Sequence, residues 1–436
     1  MIDAFRRNDK LMMLVATASR MGLGMLNFIL IARFLGPVKF GVIATAVAYS
    51  TFVALATDYG LSTSALRKAS IDVASARQIV GDALALKALL SALVLPFALV
   101  LMAGAIPLAL LPVYCCVFAG TVAYSMADLS MVVMRARRRF DVEAGLVVST
   151  SLVMLIAVGG VAAWSHDLLL TAAAFLGTRL FYLVVTQWRL RDWLGPIVDM
   201  RRSFAQMRRT LRDGAYYAID NILTVLSGQI DVLLFAWMLT SYQMGIYQAG
   251  GRLVQVIVPF AVVLSTVYMP ALAAAGAARD DGVQFGKLSR RVTMEFGLLA
   301  VMGGLGFVIV GPFFTDYFYG AQYAELRPLW VGFGAYAMMR FAAAGFGIQL
   351  IALNQIRPRI VSQIAAIGAF SAAALAFTPI FHLGVTSWLL ALIGLVNFQI
   401  LGWNLFQSNR SNRLLLVSMI GIPTLAFLLM ILTGRF

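Results

Sequence analysis

Residues 11–60 read "LMMLVATASRMGLGMLNFILIARFLGPVKFGVIATAVAYSTFVALATDYG". Two apolar runs, 11–32 and 41–62, flank a short glycine-containing turn. Each is long enough to cross a bilayer, for which about 20 residues suffice. Arg20 sits well inside the first run, ~14 Å deep at the helical rise of about 1.5 Å per residue. A guanidinium in mid-membrane costs about 2.5–3.5 kcal/mol even on insertion scales, so it faces a bundle interior or a wet cavity. Asn27 lies nearly two turns on, on the same face, and Gly24 between them leaves room.

The rest of the chain repeats this pattern. Of 436 residues, 61% are hydrophobic and 12% charged, too little charge for the surface of a soluble domain of this size. The spacing predicts thirteen spans: 11–32, 41–62, 80–103, 107–134, 145–164, 168–188, 214–239, 244–275, 293–313, 326–353, 358–379, 384–406 and 414–432. The polar start "MIDAFRRNDK" and the long run after it, without a small-residue cleavage pattern, predict no removable signal peptide. Cys115 and Cys116 are helix neighbours that point apart, and His166 and His382 are far separated, so neither a disulfide nor a zinc site is expected.

Lys and Arg outnumber Asp and Glu by 34 to 19. With the N-terminus in the cytoplasm, only Arg33, Lys39, Arg327 and Arg435 fall in outside segments. Clusters such as "RARRRF" (135–140) all fall inside, as the positive-inside rule requires. The basic excess is thus a topology signal rather than a nucleic-acid footprint, and no nucleic-acid partner is expected. Outside loops are short, the longest being "TDYFYGAQYAE", so no soluble domain is expected on either side.

The longest connector, 189–213, places Met200, Phe204, Met207 and Leu211 on one helical face among arginines. It predicts a basic amphipathic helix on the anionic cytoplasmic leaflet, in contact with membrane lipids, that serves as a topology anchor and linker or, alternatively, as a docking site for a partner enzyme. The connector separates a six-span lobe, 1–188, from a second, 214–406, with an additional span within 407–436. Shifting the first lobe by 204 residues places Leu35 on Leu239, Gly41 on Gly245, Val42 on Ile246 and Asn27 on Asp231. An even number of spans per lobe makes the repeats parallel, related by a pseudo-two-fold axis along the membrane normal. The fold class is therefore an all-α integral membrane protein of two six-helix bundles, with a cavity expected between them.

Polar stripes run inside several spans. Asp220, Thr224, Ser227, Gly228 and Asp231 share a face of span seven. Gln248, Arg252, Gln255 and Pro259 share one of span eight. Thr121, Tyr124 and Asp128 do so in span four, Arg179, Tyr182 and Thr186 in span six, and Tyr336, Arg340 and Ala343 in span ten. Lys87 is shallower and is expected to snorkel to the cytoplasmic face. Each arginine has a plain structural reading, an ion pair pinning two helices. Four of them, Arg20, Arg179, Arg252 and Arg340, on faces with other polar groups also suit a cationic cavity. Guanidinium forks grip phosphate with paired donors, which makes a phosphate or diphosphate the expected cargo. Asn27, Gln248 and Gln255 complete that candidate head-group site.

The opening also resembles the polysaccharide-transport proteins, the lipid-linked oligosaccharide flippases of the multidrug/oligosaccharidyl-lipid/polysaccharide exporter superfamily. The motifs are Ala32–Pro37 (Ala-Arg-Phe-Leu-Gly-Pro), Phe40-Gly41 and Asp58-Tyr59-Gly60-Leu61, with Gly245-Ile246-Tyr247 and Pro270 in the second half. The resemblance spans roughly 1–406. It implies an alternating-access flippase, not an enzyme. Such a flippase carries a polyprenyl-diphosphate-linked oligosaccharide from the cytoplasmic to the outer leaflet of a bacterial inner membrane, for O-antigen, capsule or exopolysaccharide synthesis. Murein-precursor flippases of the superfamily use arginines of the first and eighth spans, comparable to Arg20 and Arg252. A polysaccharide polymerase and glycosyltransferases are the partners implied. No cofactor is expected. A proton or sodium gradient is a candidate energy source, with Asp231 first and Asp220 second as coupling residues. The alternatives are a drug/cation antiporter of the same superfamily, a membrane polymerase or ligase, and a non-transporting scaffold. The antiporter would favour acidic cavity residues, and the enzyme would need a large outside loop.

Overall fold

The "FLGP" turn sets the architecture of the N-terminal end. In the computed structural model, which describes residues 2–194, 204–277 and 283–408, helix α1 (Ile2–Asp58) is broken at Gly36, with φ 76° and ψ 170°. That conformation is essentially open to glycine alone, and Pro37 follows it. The two arms of α1 are the first two expected spans. The second arm stops at Asp58, four residues short of the expected boundary, because Tyr59 and Gly60 adopt positive φ (41° and 74°).

The remaining helices are α2 (Leu61–Ile71), α3 (Ala76–Ala105), α4 (Leu111–Ser130), α5 (Val132–Ala136), α6 (Phe140–Ser165), α7 (Leu168–Leu194), α8 (Phe204–Met238), α9 (Ser241–Ala277), α10 (Val283–Phe314), α11 (Leu329–Ala352), α12 (Arg357–Phe381) and α13 (Leu383–Ser408). Among the described residues there is no strand, and nine helices are long and apolar enough to cross a membrane. One of the nine, Ala16–Asp58, carries two spans. Helices α8 and α9 hold shorter apolar stretches, Val225–Met238 and Val267–Gly276. Every expected span up to residue 406 falls on described helices, with 41–62 ending in the start of α2 and 107–134 shared between α4 and α5. The span at 414–432 lies outside the described residues. Of the 189–213 connector, 195–203 also lies outside them. Its ends are the close of α7 and the first turns of α8, where Leu211 packs against buried core.

Outward helix faces are apolar. On α10, Leu298, Met302, Leu305, Ile309 and Phe313 recur at helical spacing and are all exposed. Such a stripe is stable against lipid tails and not against water. Trp164 and Trp237 stand exposed at helix ends, where amphipathic rings favour the membrane interface. The protein is a multi-pass membrane protein.

The chain divides into two compact units, with the division between Gln229 and Ile230. In the first, the core gathers Leu84, Leu129, Met134 and Tyr182. In the second, Phe296, Phe346, Trp388 and Phe398 form the core. Helices α10 and α11 cross closely: a Cβ on Gly334 would stand 2.6 Å from the Gly304 carbonyl oxygen. Apolar lipid gives helices no hydrophobic reason to associate, so close backbone approach at small residues supplies much of the attraction.

The repeat is visible in the chain path. The break at Gly36 has its counterpart 204 residues on, at Thr240, between α8 and α9. There the turn is held by a reciprocal cap. The Thr240 amide donates to Gln243 Oε1 (3.1 Å), and the Gln243 amide donates to Thr240 Oγ1 (3.3 Å).

Candidate functional site

In the first unit the polar stripes of spans one, four and six meet. Arg20 of α1, Tyr124 of α4, and Arg179 and Tyr182 of α7 line one cavity of about 170 Å³, together with Gly24 and Thr178. The Tyr124 ring is the platform. The Arg179 guanidinium carbon lies 4.3 Å from its centroid and that of Arg20 5.8 Å, on an aromatic pair completed by Tyr182 at 5.6 Å. Arg179 also lies 5.0 Å from the Phe175 ring. Cation–π attraction holds a guanidinium without neutralising it. Arg179 pairs with no carboxylate among the described residues, and its Nε has no hydrogen-bond partner there.

Arg20 has counter-ions, but it shares them. Its Nη1 stands 3.5 Å from Asp128 and its Nη2 3.8 Å from Glu143. Both carboxylates are held more tightly by Arg135 of α5. Its Nη2 donates to Asp128 Oδ1 and to Glu143 Oε1, each at 2.7 Å, and its Nε reaches both Glu143 oxygens at 3.1 and 3.2 Å. The plain ion-pair reading of Arg20 is thus partly realised, with loose geometry. The cluster holds three guanidiniums against two carboxylates, so a positive charge is left over beside the cavity. Sequence reasoning placed Asp128 on the right stripe and read Arg135 as a topology charge. It did not single out Glu143, whose signal was an acid at the head of a span next to the basic "RARRRF" run.

The other expected site residues lie elsewhere. Asn27 is buried with its Oδ1 unpartnered among the described residues, and it does not line the first-unit cavity. In the second unit, Arg252 Nη1 donates to Gln255 Oε1 at 3.4 Å on the same helix. Gln248 is buried one turn before Arg252. Asp231 is buried and accepts a hydrogen bond from the Tyr247 hydroxyl. The side chain of Asp220 lies outside those described. Arg340 lines a larger cavity of about 440 Å³ in that unit.

Lys87 corrects an expectation. It does not snorkel: it is wholly buried, donating to Asp58 and, at 3.1 Å, to the Ser125 carbonyl. Asp58 sits at the end of α1 and also accepts from the Ser62 hydroxyl at 2.5 Å. The Asp-Tyr-Gly-Leu motif therefore ends a helix and supplies the counter-ion that lets an ammonium stay inside. At the other end of the unit, Lys39 Nζ donates to the His166 carbonyl (2.7 Å), and the His166 ring bonds the Phe34 carbonyl (2.8 Å). The turn after the first span and the turn between α6 and α7 are thereby clasped together.

The fold is similar to a solved structure titled "Lipid II flippase MurJ, inward closed conformation", at 10% identity and a TM-score of 0.67 over 97% of this chain and 96% of that one. It is also similar to an inward-facing multidrug resistance MATE family transporter of the MOP superfamily, at 13% identity and a TM-score of 0.65 over 95% and 99%. The outward-facing form of such a transporter gives 14% identity and a TM-score of 0.59 over 95% and 96%. No curated protein matches the chain. At these identities the likeness establishes a shared fold, that of helical membrane transporters. Over residues 8–275, well over half its length, the chain matches the model of the polysaccharide biosynthesis proteins, and it belongs to that family.

Proposed function

We propose that the protein is an alternating-access flippase that moves a polyprenyl-diphosphate-linked oligosaccharide from the cytoplasmic to the outer leaflet for cell-surface polysaccharide synthesis. The observation that carries this reading is the first-unit cavity, where Arg20 and Arg179 flank Tyr124 and the surrounding cluster keeps a positive charge in excess. A cavity of about 170 Å³ is the scale of a head group, whereas drug-sized ligands occupy about 300–1,000 Å³. The charge is also of the wrong sign for a cationic drug, which weighs against the antiporter reading. Membership of a polysaccharide biosynthesis family supports a lipid-linked sugar as the cargo, and the flippase named among similar folds supports translocation.

In this proposal Arg20 and Arg179 grip phosphate oxygens. Arg135 keeps Asp128 and Glu143 satisfied when Arg20 turns from them to the cargo. Arg252, Asn27, Gln248 and Gln255 are further head-group residues, and Asp231 and Asp220 are the coupling candidates for a proton or sodium gradient. The N-terminus is cytoplasmic, the membrane is the bacterial inner membrane, the protein carries out no catalysis, and a polymerase and glycosyltransferases act before and after it. The test is the orientation of a lipid-linked oligosaccharide in vesicles containing purified protein, read by access of an impermeant lectin. Wild type should equilibrate the two leaflets. Arg20→Gln and Arg179→Gln should abolish this while inserting normally, with Lys rescuing partly because the charge survives and the fork does not. Equilibration by both neutral variants would sink the proposal.

A further inference from the structure

The second-unit cavity differs in chemistry from the first. Its volume is about 440 Å³, within the range of sites that hold small ligands. It is lined by α9, α11, α12 and α13. The residues that line it include two arginines, Arg340 and Arg359, and the polar Gln363 and Asn397. Most of the remaining wall is apolar, including Phe341, Ile348 and Leu401. Neither Arg340 nor Arg359 pairs with a carboxylate among the described residues, and both are exposed. In the first unit, by contrast, Arg20 already faces Asp128 and Glu143.

Two cations without counter-ions favour an anion. Guanidinium forks favour one with paired oxygens, which is a phosphate. A free phosphate, however, would leave the apolar wall in contact with water, at a cost proportional to its area. An amphiphile satisfies both parts: its phosphate meets the arginines and the first carbons of its chain cover Phe341, Ile348 and Leu401. The first turn of α12, which carries Arg359, lies by the distribution of basic residues at the cytoplasmic end, where phosphate-headed lipids of the inner leaflet are at hand. We infer that this cavity is a binding site for a phosphate-headed lipid, separate from the head-group site proposed for the first unit. The inference goes beyond the flippase reading and does not need it.

The experiment is calorimetric titration of the full-length protein in zwitterionic nanodiscs, with empty nanodiscs subtracted. The probes are decyl phosphate, decanol and inorganic phosphate. Decyl phosphate should bind saturably, with one site per protein beyond that of the first-unit cavity, and inorganic phosphate and decanol should each bind there more weakly by about tenfold or more, since each keeps half of the contacts. Arg340→Gln and Arg359→Gln should each weaken decyl phosphate by about tenfold, the scale of one charge-assisted contact. Ile348→Trp, which fills the cavity and leaves both charges, should weaken it too. The titrations are repeated in the Arg20→Gln/Arg179→Gln background, which lacks the phosphate grip proposed for the first unit; the binding that depends on Arg340 and Arg359 should persist there, so that the two readings fail separately. Repeating the titration in nanodiscs containing phosphatidylglycerol identifies the source of the lipid. Competition assigns the site to bulk anionic phospholipid, and undiminished binding assigns it to a single-chain phosphate of the prenyl type. Wild-type affinity in both Gln variants, no effect of Ile348→Trp, or equal binding of inorganic phosphate would overturn the inference.

Discussion

Arg135 and Arg20 touch the same two carboxylates, yet they should behave as opposites when removed. Arg135 makes the short contacts, at 2.7 Å to each acid, with further bonds to Glu143 at 3.1 and 3.2 Å. Its side chain is 22% exposed, and those of Asp128 and Glu143 are 26% and 11%. Arg135→Gln would leave two largely buried carboxylates with a single distant cation. Breaking a buried pair by removing one partner costs about 3–5 kcal/mol, because the remaining charge is stranded. Arg20, by contrast, is 36% exposed and stands 3.5 and 3.8 Å from its acids. A loose, part-exposed pair contributes about 0–1 kcal/mol. Arg20→Gln should therefore fold almost as wild type and lose only transport. The triple variant Arg135→Gln/Asp128→Asn/Glu143→Gln removes the stranded charges and should regain most of the lost stability. The assay is the folded fraction along an SDS titration in mild detergent micelles, run beside the vesicle flipping assay. If Arg135→Gln is as stable as wild type, or Arg20→Gln is destabilised as much as Arg135→Gln, the division into a structural and a cargo-facing arginine is wrong.

Three further outcomes follow from the packing and topology. Lys87→Met strands Asp58 and should lower stability by about 3–5 kcal/mol, with Asp58→Asn/Lys87→Met recovering much of it; no recovery in the double variant would break the pairing. Gly334→Ala pushes a Cβ to 2.6 Å from the Gly304 carbonyl and should cost about 1–3 kcal/mol, whereas Gly306→Ala, with open space around it, should be neutral or slightly stabilising. The same SDS titration separates these glycines. Reporter fusions after Ala105, Asp167 and Tyr242 should read outside, and those after Ser70 and Phe140 inside; one clear inversion would overturn the span count upstream of it.

The spans were legible because two local signals agree along the chain: apolar runs of bilayer length and the placement of Lys and Arg between them. The break at Gly36 and its counterpart at Thr240 were legible as a repeated turn. The charge partners were not. Arg20 meets Asp128, Glu143 and Arg135 across four helices, and nothing in local spacing says which stripes of a bundle face each other. Arg135 was hidden by its neighbourhood: in "RARRRF" it looks like one more topology charge, yet its guanidinium turns to Asp128 and Glu143. Lys87 misled for a related reason. Its depth suited snorkelling, and only the fold brings Asp58, at a helix end 29 residues away, to its ammonium. The four arginines read as one set divide in the structure. Arg20 and Arg179 line one cavity, Arg340 another, and Arg252 is bonded along its own helix.

That division bears on how transport would be driven. Counted over the first-unit cluster, Arg20, Arg135 and Arg179 exceed Asp128 and Glu143 by one positive charge. With a diphosphate of about two negative charges bound, the same cluster carries about one negative charge. An inside-negative potential drives a negative complex outward and a positive empty site inward, each at about 2.3 kcal/mol per charge per 100 mV. Both halves of the cycle then run downhill on the potential, and no proton or sodium ion is needed to offset the site on its return. Asp231, buried and hydrogen-bonded by Tyr247, is on this account a structural acid. The coupling alternative keeps Asp231 as an ion-binding group. The two part in one measurement. Vesicles containing the protein are given a potassium diffusion potential at equal pH and sodium, and in a second arm a pH or sodium gradient at zero potential. Potential-driven accumulation of the lipid-linked sugar in one leaflet, with no effect of either gradient, supports the charge count. Accumulation that follows the gradients and is lost in Asp231→Asn, with cargo binding intact, would refute it and return the coupling role to Asp231.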